Sequence, residues 1–250
     1  MGLSTEIKID QLRDSTVDAA PSELPPGTVH LWQRSLQESS EAVEACYQLL
    51  SAEEREKALR YRIERPRSDF VLTRGTLRLL LAAYLGTTPR EVSFEYSEYG
   101  KPRLAVSCDV RFNVSHTNGL ALLGFARNRE IGIDVEQMRA EVEVLKLARR
   151  FFSTHEIDEI EKRSGDKLRR AFFHCWTRKE AYIKARGEGL SLPLQEFDVS
   201  VDRGATQALL ATRPDASEAS RWLIRDVPLS NGYAGALSVG EEVRALGERV

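Results

Sequence analysis

Asp134 and Glu136 stand two residues apart in the run Ile131-Gly132-Ile133-Asp134-Val135-Glu136. Apolar and acidic residues alternate there, the period of a half-buried strand. Ile131, Ile133 and Val135 then face a core, and the two acids project together from the other face. At ~3.3–3.4 Å of rise per residue the carboxylates sit about 7 Å apart. Acids so placed repel one another unless something positive lies between them. A solvated strand face is one reading; a cation site is the other, and it calls for a third oxygen ligand and a surface for phosphate. Glu180 offers the oxygen. Trp176, Glu180 and Lys184 form an i, i+4 line late in a helical stretch that runs into Gly187 and Gly189. Alone, Glu180–Lys184 is an exposed ion pair worth roughly a few tenths of a kcal/mol. Glycines at its end let a bulky ligand approach backbone, though an ordinary helix stop explains them equally well.

Other polar residues gather in short runs. Lys101-Pro102 follows a tight turn at Gly100. In Phe112-Asn113-Val114-Ser115-His116, alternation puts Asn113, Ser115 and Thr117 on one strand face, with Val114 and His116 on the other. The Ser115–His116 adjacency is no hydrolase signature, because neighbours in a strand point apart and no G-x-S-x-G elbow is present. The basic stretch Arg55–Arg65 reads as a solvated helix face. Nucleic-acid binding is its rival, but the stretch lacks aromatic interleaving and the chain's net charge is −2.

The elements that must position these residues follow from pattern. Residues 1–27 are a polar leader, and Val29–Trp32 begins the first strand. Ser51-Ala52-Glu53-Glu54 is a capping box that opens the basic helix, which Pro66 stops or kinks. A second helix spans about Ser68–Leu85 and closes on Gly86. Strands follow at 92–96, 112–116, 120–126 and 131–136, then helices at 144–152, 153–162 and 167–186, then strands at 197–201, 222–226 and 233–239. Asn118-Gly119 with its apolar strand recurs as Asn231-Gly232 with Tyr233–Val239, which fits two similar halves joined at Arg127–Glu130. Cys46, Cys108 and Cys175 show no paired spacing and His30, His116, His155 and His174 no metal-ligand spacing, so a reduced, cytoplasmic protein is expected. No apolar run is long enough to span a membrane.

Four stretches, taken in order and spacing, resemble the surfactin-type 4′-phosphopantetheinyl transferases. They are Tyr99-Gly100-Lys101-Pro102, Phe112–His116, Gly132–Glu136, and the helix carrying Phe172, Trp176, Lys179, Glu180, Ala181 and Lys184 into Gly187, Gly189 and Leu190. The resemblance runs from about Val29 to Val239. It implies an α+β fold, a monomer built as a pseudo-twofold pair of subdomains, each a small, mainly antiparallel sheet packed on a long helix. The boundaries expected are 28–128 and 129–250. It implies Mg²⁺-dependent transfer of 4′-phosphopantetheine from coenzyme A to a serine of an apo acyl, peptidyl or aryl carrier protein. The leaving group is adenosine 3′,5′-bisphosphate, and neither nucleic acid nor membrane takes part.

By motif, Asp134, Glu136 and Glu180 would hold Mg²⁺, with Asp134, Glu180 and Lys184 catalytic. Glu180 would serve as base and Lys184 would neutralise the pyrophosphate. Coenzyme A would lie against Gly100, Lys101, Pro102 and Arg103, against Asn113, Ser115 and His116, and against Lys179 and Lys184. Arg65 and Lys57 would clamp it from the basic helix. The chain departs at Glu54 and Asp69, where relatives place basic residues. The helix Lys146–Phe152 would receive the carrier. Two alternatives stand beside this reading, a Mg²⁺-dependent nucleotide phosphohydrolase and a non-catalytic coenzyme A-binding module. Intact Asp134, Glu136, Glu180 and Lys184 weigh against the second.

Overall fold

A computed structural model describes residues 8–10, 23–205 and 207–242 of the chain. Most of the polar leader lies outside these residues. Within them, Lys8–Asp10 forms strand β1, parallel to the start of β2 (Thr28–Ser35), and Leu24 is buried.

Three helices follow, α1 (Ser40–Gln48), α2 (Ala52–Arg60) and α3 (Glu64–Leu85). The capping box forms as the sequence predicts, Ser51 Oγ accepting from Glu54 N–H while the Glu54 carboxylate accepts from Ser51 N–H. Pro66 does not end the basic helix. The chain breaks after Arg60 and restarts at Glu64, leaving Pro66 in the first turn of α3, where its missing N–H would have had no intrahelical partner anyway. α1 has no strong apolar stripe to announce it; Cys46 is its one buried residue.

The hairpin β3 (Phe94–Tyr96) and β4 (Pro102–Leu104) precedes β5 (Val110–Thr117), β6 (Leu120–Arg127) and β7 (Arg129–Gln137). Then come α4 (Val144–Phe151), α5 (Thr154–Glu161) and α6 (Gly165–Arg186), followed by β8 (Phe197–Val199), β9 (Leu209–Thr212), β10 (Trp222–Asp226) and β11 (Tyr233–Glu242). The first sheet runs β1-β2-β6-β5 and the second β10-β11-β7, antiparallel apart from β1–β2.

The result is an α+β fold with four layers. Leu77, Leu80, Leu81 and Tyr84 of α3 pack on Trp32, Phe112, Leu123 and Phe125 of the first sheet. Val29, Leu31 and Leu122 on its other face meet Ile131, Ile133, Val135, Leu237 and Val239 of the second sheet. Phe172, Phe173 and Tyr182 of α6 close the stack with Ile224 and Ala234. β6 is covered on both faces, which is why it reads as a continuous apolar run. α3 and α6 each have 22 residues and each ends on a glycine in the left-handed region, Gly86 and Gly187. Among the described residues no helix is long and apolar enough to cross a membrane, and the three cysteines are unbridged.

Candidate active site

The alternation of β7 sends Ile131, Ile133 and Val135 into the core between the sheets, and residues 132, 134 and 136 toward α6. Gly132 makes the approach of α6 possible. A Cβ there would lie 2.1 Å from the Ala181 carbonyl oxygen and 2.3 Å from Ala185 N. Glycine inside a strand marks such close backbone contact. With the helix this near, the Lys184 ammonium donates to Asp134 Oδ1 at 2.7 Å.

Asp134 is 3 % exposed. Its Oδ1 also accepts from Ser115 Oγ–H at 2.9 Å, while Ser115 Oγ accepts from Lys184 Nζ at 3.0 Å and from Val135 N–H at 3.3 Å. Its Oδ2 is buried without a hydrogen-bond partner. Thr117 Oγ1 donates to Glu136 Oε2 at 3.3 Å. Burial first, and the neighbouring Asp134 charge second, push the Glu136 and Glu180 carboxyls above the ordinary glutamate value. Lys184 pulls both the other way. Three carboxylates thus lie near Lys184, which contacts Asp134, while Arg139 also acts on Glu136.

That charge imbalance, an orphaned carboxylate oxygen and an all-oxygen donor set suit a hard divalent cation. Among the described residues no three acidic, histidine or cysteine side chains already close around one point; the Lys184 ammonium occupies the contact with Asp134 instead.

A cavity of about 260 Å³ opens beside the cluster, between the turn Tyr99–Pro102, the strand residues Asn113 and Val114, and Glu180, Ile183, Lys184, Gly187 and Gly189. The turn bends at Gly100, whose φ of 79° lies in the left-handed region. A larger cavity of about 530 Å³ adjoins it, sharing Lys101, Pro102 and Gly187, and is lined further by Arg103, Arg111, Glu130 and Arg186. It contains none of the three clustered acids, so the chemistry belongs to the smaller one. Lys101 sits on the wall between them, donating to Glu130 Oε2 at 2.9 Å and to the Ala185 carbonyl at 3.0 Å.

Not every expected residue arrives. Lys179 is 0 % exposed and lies in the core, where it pairs with Glu156 at 2.8 Å and donates to the Leu194 and Phe197 carbonyls. Adjacent helix residues point about 100° apart, so Lys179 cannot follow Glu180 into the cavity. Arg103 lines only the larger cavity and pairs with Glu95 at 2.8 Å. Lys57 and Arg65 line neither: the Lys57 ammonium lies over the Phe70 ring and Arg65 pairs with Asp69 at 3.0 Å. His116 is exposed by area, yet crowding by the protein lowers its pKa, helped by Lys184 and opposed by Asp69. Glu54 serves the α2 cap and pairs with Arg78 and Arg74, which accounts for an acid at that position. Thr117, Glu130 and the packing role of Gly132 are given no role by the sequence, although alternation sets Thr117 on one strand face with Asn113 and Ser115, and a glycine in an alternating strand is itself a signal.

Comparison with known proteins finds matches in both halves of the chain. A family model described as 4′-phosphopantetheinyl transferase superfamily matches residues 130–238, and one described as 4′-phosphopantetheinyl transferase, N-terminal, matches residues 31–126. The chain is 34% identical over 215 residues to the 4′-phosphopantetheinyl transferase HetI of Nostoc sp., covering 85% of this chain and 88% of that one. To a putative 4′-phosphopantetheinyl transferase of Synechocystis sp. it is 35% identical over 184 residues, covering 72% and 73%. To the 4′-phosphopantetheinyl transferase Sfp of Bacillus subtilis it is 32% identical over 161 residues, covering 64% and 70%. With both halves matched and the acidic strand and its helix inside the matched region, the chain belongs to the 4′-phosphopantetheinyl transferase superfamily.

Proposed function

We propose that the chain transfers 4′-phosphopantetheine from coenzyme A to the serine hydroxyl of an apo carrier protein. The serine oxygen forms a bond to the phosphorus bearing pantetheine, and the bond from that phosphorus to adenosine 3′,5′-bisphosphate breaks. The observation that carries the reading is the placement of Asp134, Glu136 and Glu180 near the Lys184 ammonium, beside a cavity that Glu180 and Lys184 line.

Asp134, Glu136 and Glu180 would hold Mg²⁺, which when bound offsets the charge of the pyrophosphate. Lys184 neutralises the developing charge on the leaving bisphosphate. Glu180, directly or through a water, would accept the serine proton. The Gly100–Pro102 turn, which lines the cavity, and His116 would face the nucleotide. Lys101 Nζ spends two of its three protons on Glu130 and Ala185, leaving one for a phosphate oxygen. The reading extends to two subdomains, 28–128 and 129–250, and to a cytoplasmic monomer.

Incubation of the protein with coenzyme A, Mg²⁺ and a panel of apo acyl, peptidyl and aryl carrier proteins tests the proposal by intact mass. Gain of one phosphopantetheine on a carrier is the expected result. Loss of coenzyme A with the carriers untouched would make the protein a phosphohydrolase, and binding without turnover a coenzyme A-binding module.

A further inference from the structure

β5 and β7 run in the same direction at the junction of the two sheets, yet they share no backbone ladder. A strand turns its N–H groups alternately to its two sides. Those of Ile133, Val135 and Gln137 share one side of β7, and every one of them finds a side chain of β5. Ile133 N–H donates to Asn113 Oδ1 at 2.9 Å, Val135 N–H to Ser115 Oγ at 3.3 Å, and Gln137 N–H to Thr117 Oγ1 at 3.3 Å. The residues between them are the ones that do chemistry.

The two hydroxyls repeat one arrangement two residues apart. Ser115 accepts from Val135 N–H and donates to Asp134; Thr117 accepts from Gln137 N–H and donates to Glu136. At the first rung the position corresponding to the acid is Gly132, and the rung is an asparagine. A hydroxyl has one proton and two lone pairs, so each, anchored by a backbone amide, has its proton aimed at one carboxylate oxygen. For Asp134 this engages Oδ1 and leaves Oδ2 facing away from the ladder without a partner.

We infer that Asn113, Ser115 and Thr117 form a side-chain ladder that fastens the two halves together, and that Ser115 and Thr117 are positioning residues that orient Asp134 and Glu136. The inference about the acids rests on the function proposed above; the ladder does not.

The test uses the full chain, free of substrate. Amide exchange followed by NMR should rise about tenfold at Ile133 alone in Asn113→Ala, at Val135 alone in Ser115→Ala and at Gln137 alone in Thr117→Ala. Uniform acceleration of all three amides, or no change, would overturn the ladder. Calorimetric titration with Mg²⁺ then addresses the acids. Ser115→Ala and Thr117→Ala should each weaken binding several-fold, with recovery in Ser115→Thr and Thr117→Ser, which keep the hydroxyl. Unchanged Mg²⁺ affinity, or no binding by the unsubstituted chain, would overturn the positioning role while the exchange pattern still decides the ladder. In turnover, Thr117→Ala should lower kcat with an unchanged KM for coenzyme A. A rise in that KM with kcat unchanged would make Thr117 a substrate contact and overturn its positioning role.

Discussion

Gly132 and Ala181 meet backbone to backbone: a Cβ on the glycine would fall 2.1 Å from the Ala181 carbonyl oxygen. That contact fixes how far α6 stands from β7, and therefore where Glu180 and Lys184 stand relative to Asp134. Neither partner is a flexible side chain, so Gly132→Ala must displace the helix. Overpacking of this kind costs about 1–3 kcal/mol, and displacement by an ångström removes a well-placed catalytic group. The variant should melt several degrees lower and lose about 10²-fold or more in kcat. A melting curve and a steady-state assay check both; near-normal kcat would show that the helix spacing is not what assembles the site.

Asp134→Ala should abolish transfer while leaving the fold intact, because the strand is held by Ile131, Ile133 and Val135 on its buried face. It also leaves Lys184 without its 2.7 Å partner. Glu136→Ala should be milder, since water can replace one ligand of a well-hydrated Mg²⁺. Turnover measured across a Mg²⁺ series separates the two. If Asp134→Ala turned over normally at low Mg²⁺, the acidic cluster would not be the metal site.

The raised carboxyls of Glu136 and Glu180 give a pH dependence whose sign is fixed. Between the ordinary value of 4.5 and their raised values, the folded protein holds more protons than the unfolded chain. Stability of the metal-free protein therefore falls as pH rises through that window, the slope following the difference in bound protons. Mg²⁺ must displace those same protons, so the stabilisation it gives should be larger at pH 8 than at pH 5. Glu180→Gln should flatten the metal-free decline and reduce the Mg²⁺ gain. Chemical denaturation at several pH values, with and without Mg²⁺, reads both effects; a metal-free stability that rose across the window would contradict them.

The acidic strand was legible because its alternation is local: period two in Ile131–Glu136 already says which residues share a face. The Ser51–Glu54 cap was legible for the same reason. What the sequence concealed is contact between distant segments. Lys179 stands next to Glu180 in a motif, yet it satisfies the buried Glu156 of the second capping box, at Ser153–Glu156. Arg78 of α3 does the same for Glu54 in the first half. The two halves thus share a pattern, a capping-box glutamate met by a cation from the long helix that follows it, plainer than the two Asn-Gly turns. Pro66 misled because a proline that breaks a helix interior is harmless in a first turn, and only the φ/ψ break at Tyr61–Ile63 distinguishes the two.

The helix expected to receive the carrier protein, Lys146–Phe152, changes in character once its burial is known. Phe152 is 2 % exposed, stacks on Phe172 and lies tilted against Trp176; Leu147 and Phe151 also pack against the core. The face left to a partner is therefore mainly cationic. Arg149 is held by Glu161 at 2.7 Å and Lys146 by Glu143 at 3.2 Å, while Arg150 lies over the Phe151 ring. Among the described residues Arg150 is thus the cation of this helix with no carboxylate partner within ion-pair distance, and it is the one to reverse. An exposed charge that steers a partner acts mainly on association and weakens with salt, the Debye length falling to about 3 Å at 1 M. Arg150→Glu, alone and with Lys146→Glu, should raise the KM for an acidic carrier protein several-fold and flatten its salt dependence, leaving the KM for coenzyme A unchanged. Initial rates over a salt series with the two substrates varied in turn decide it. A carrier KM and salt slope equal to those of the unsubstituted enzyme would move the docking surface off α4.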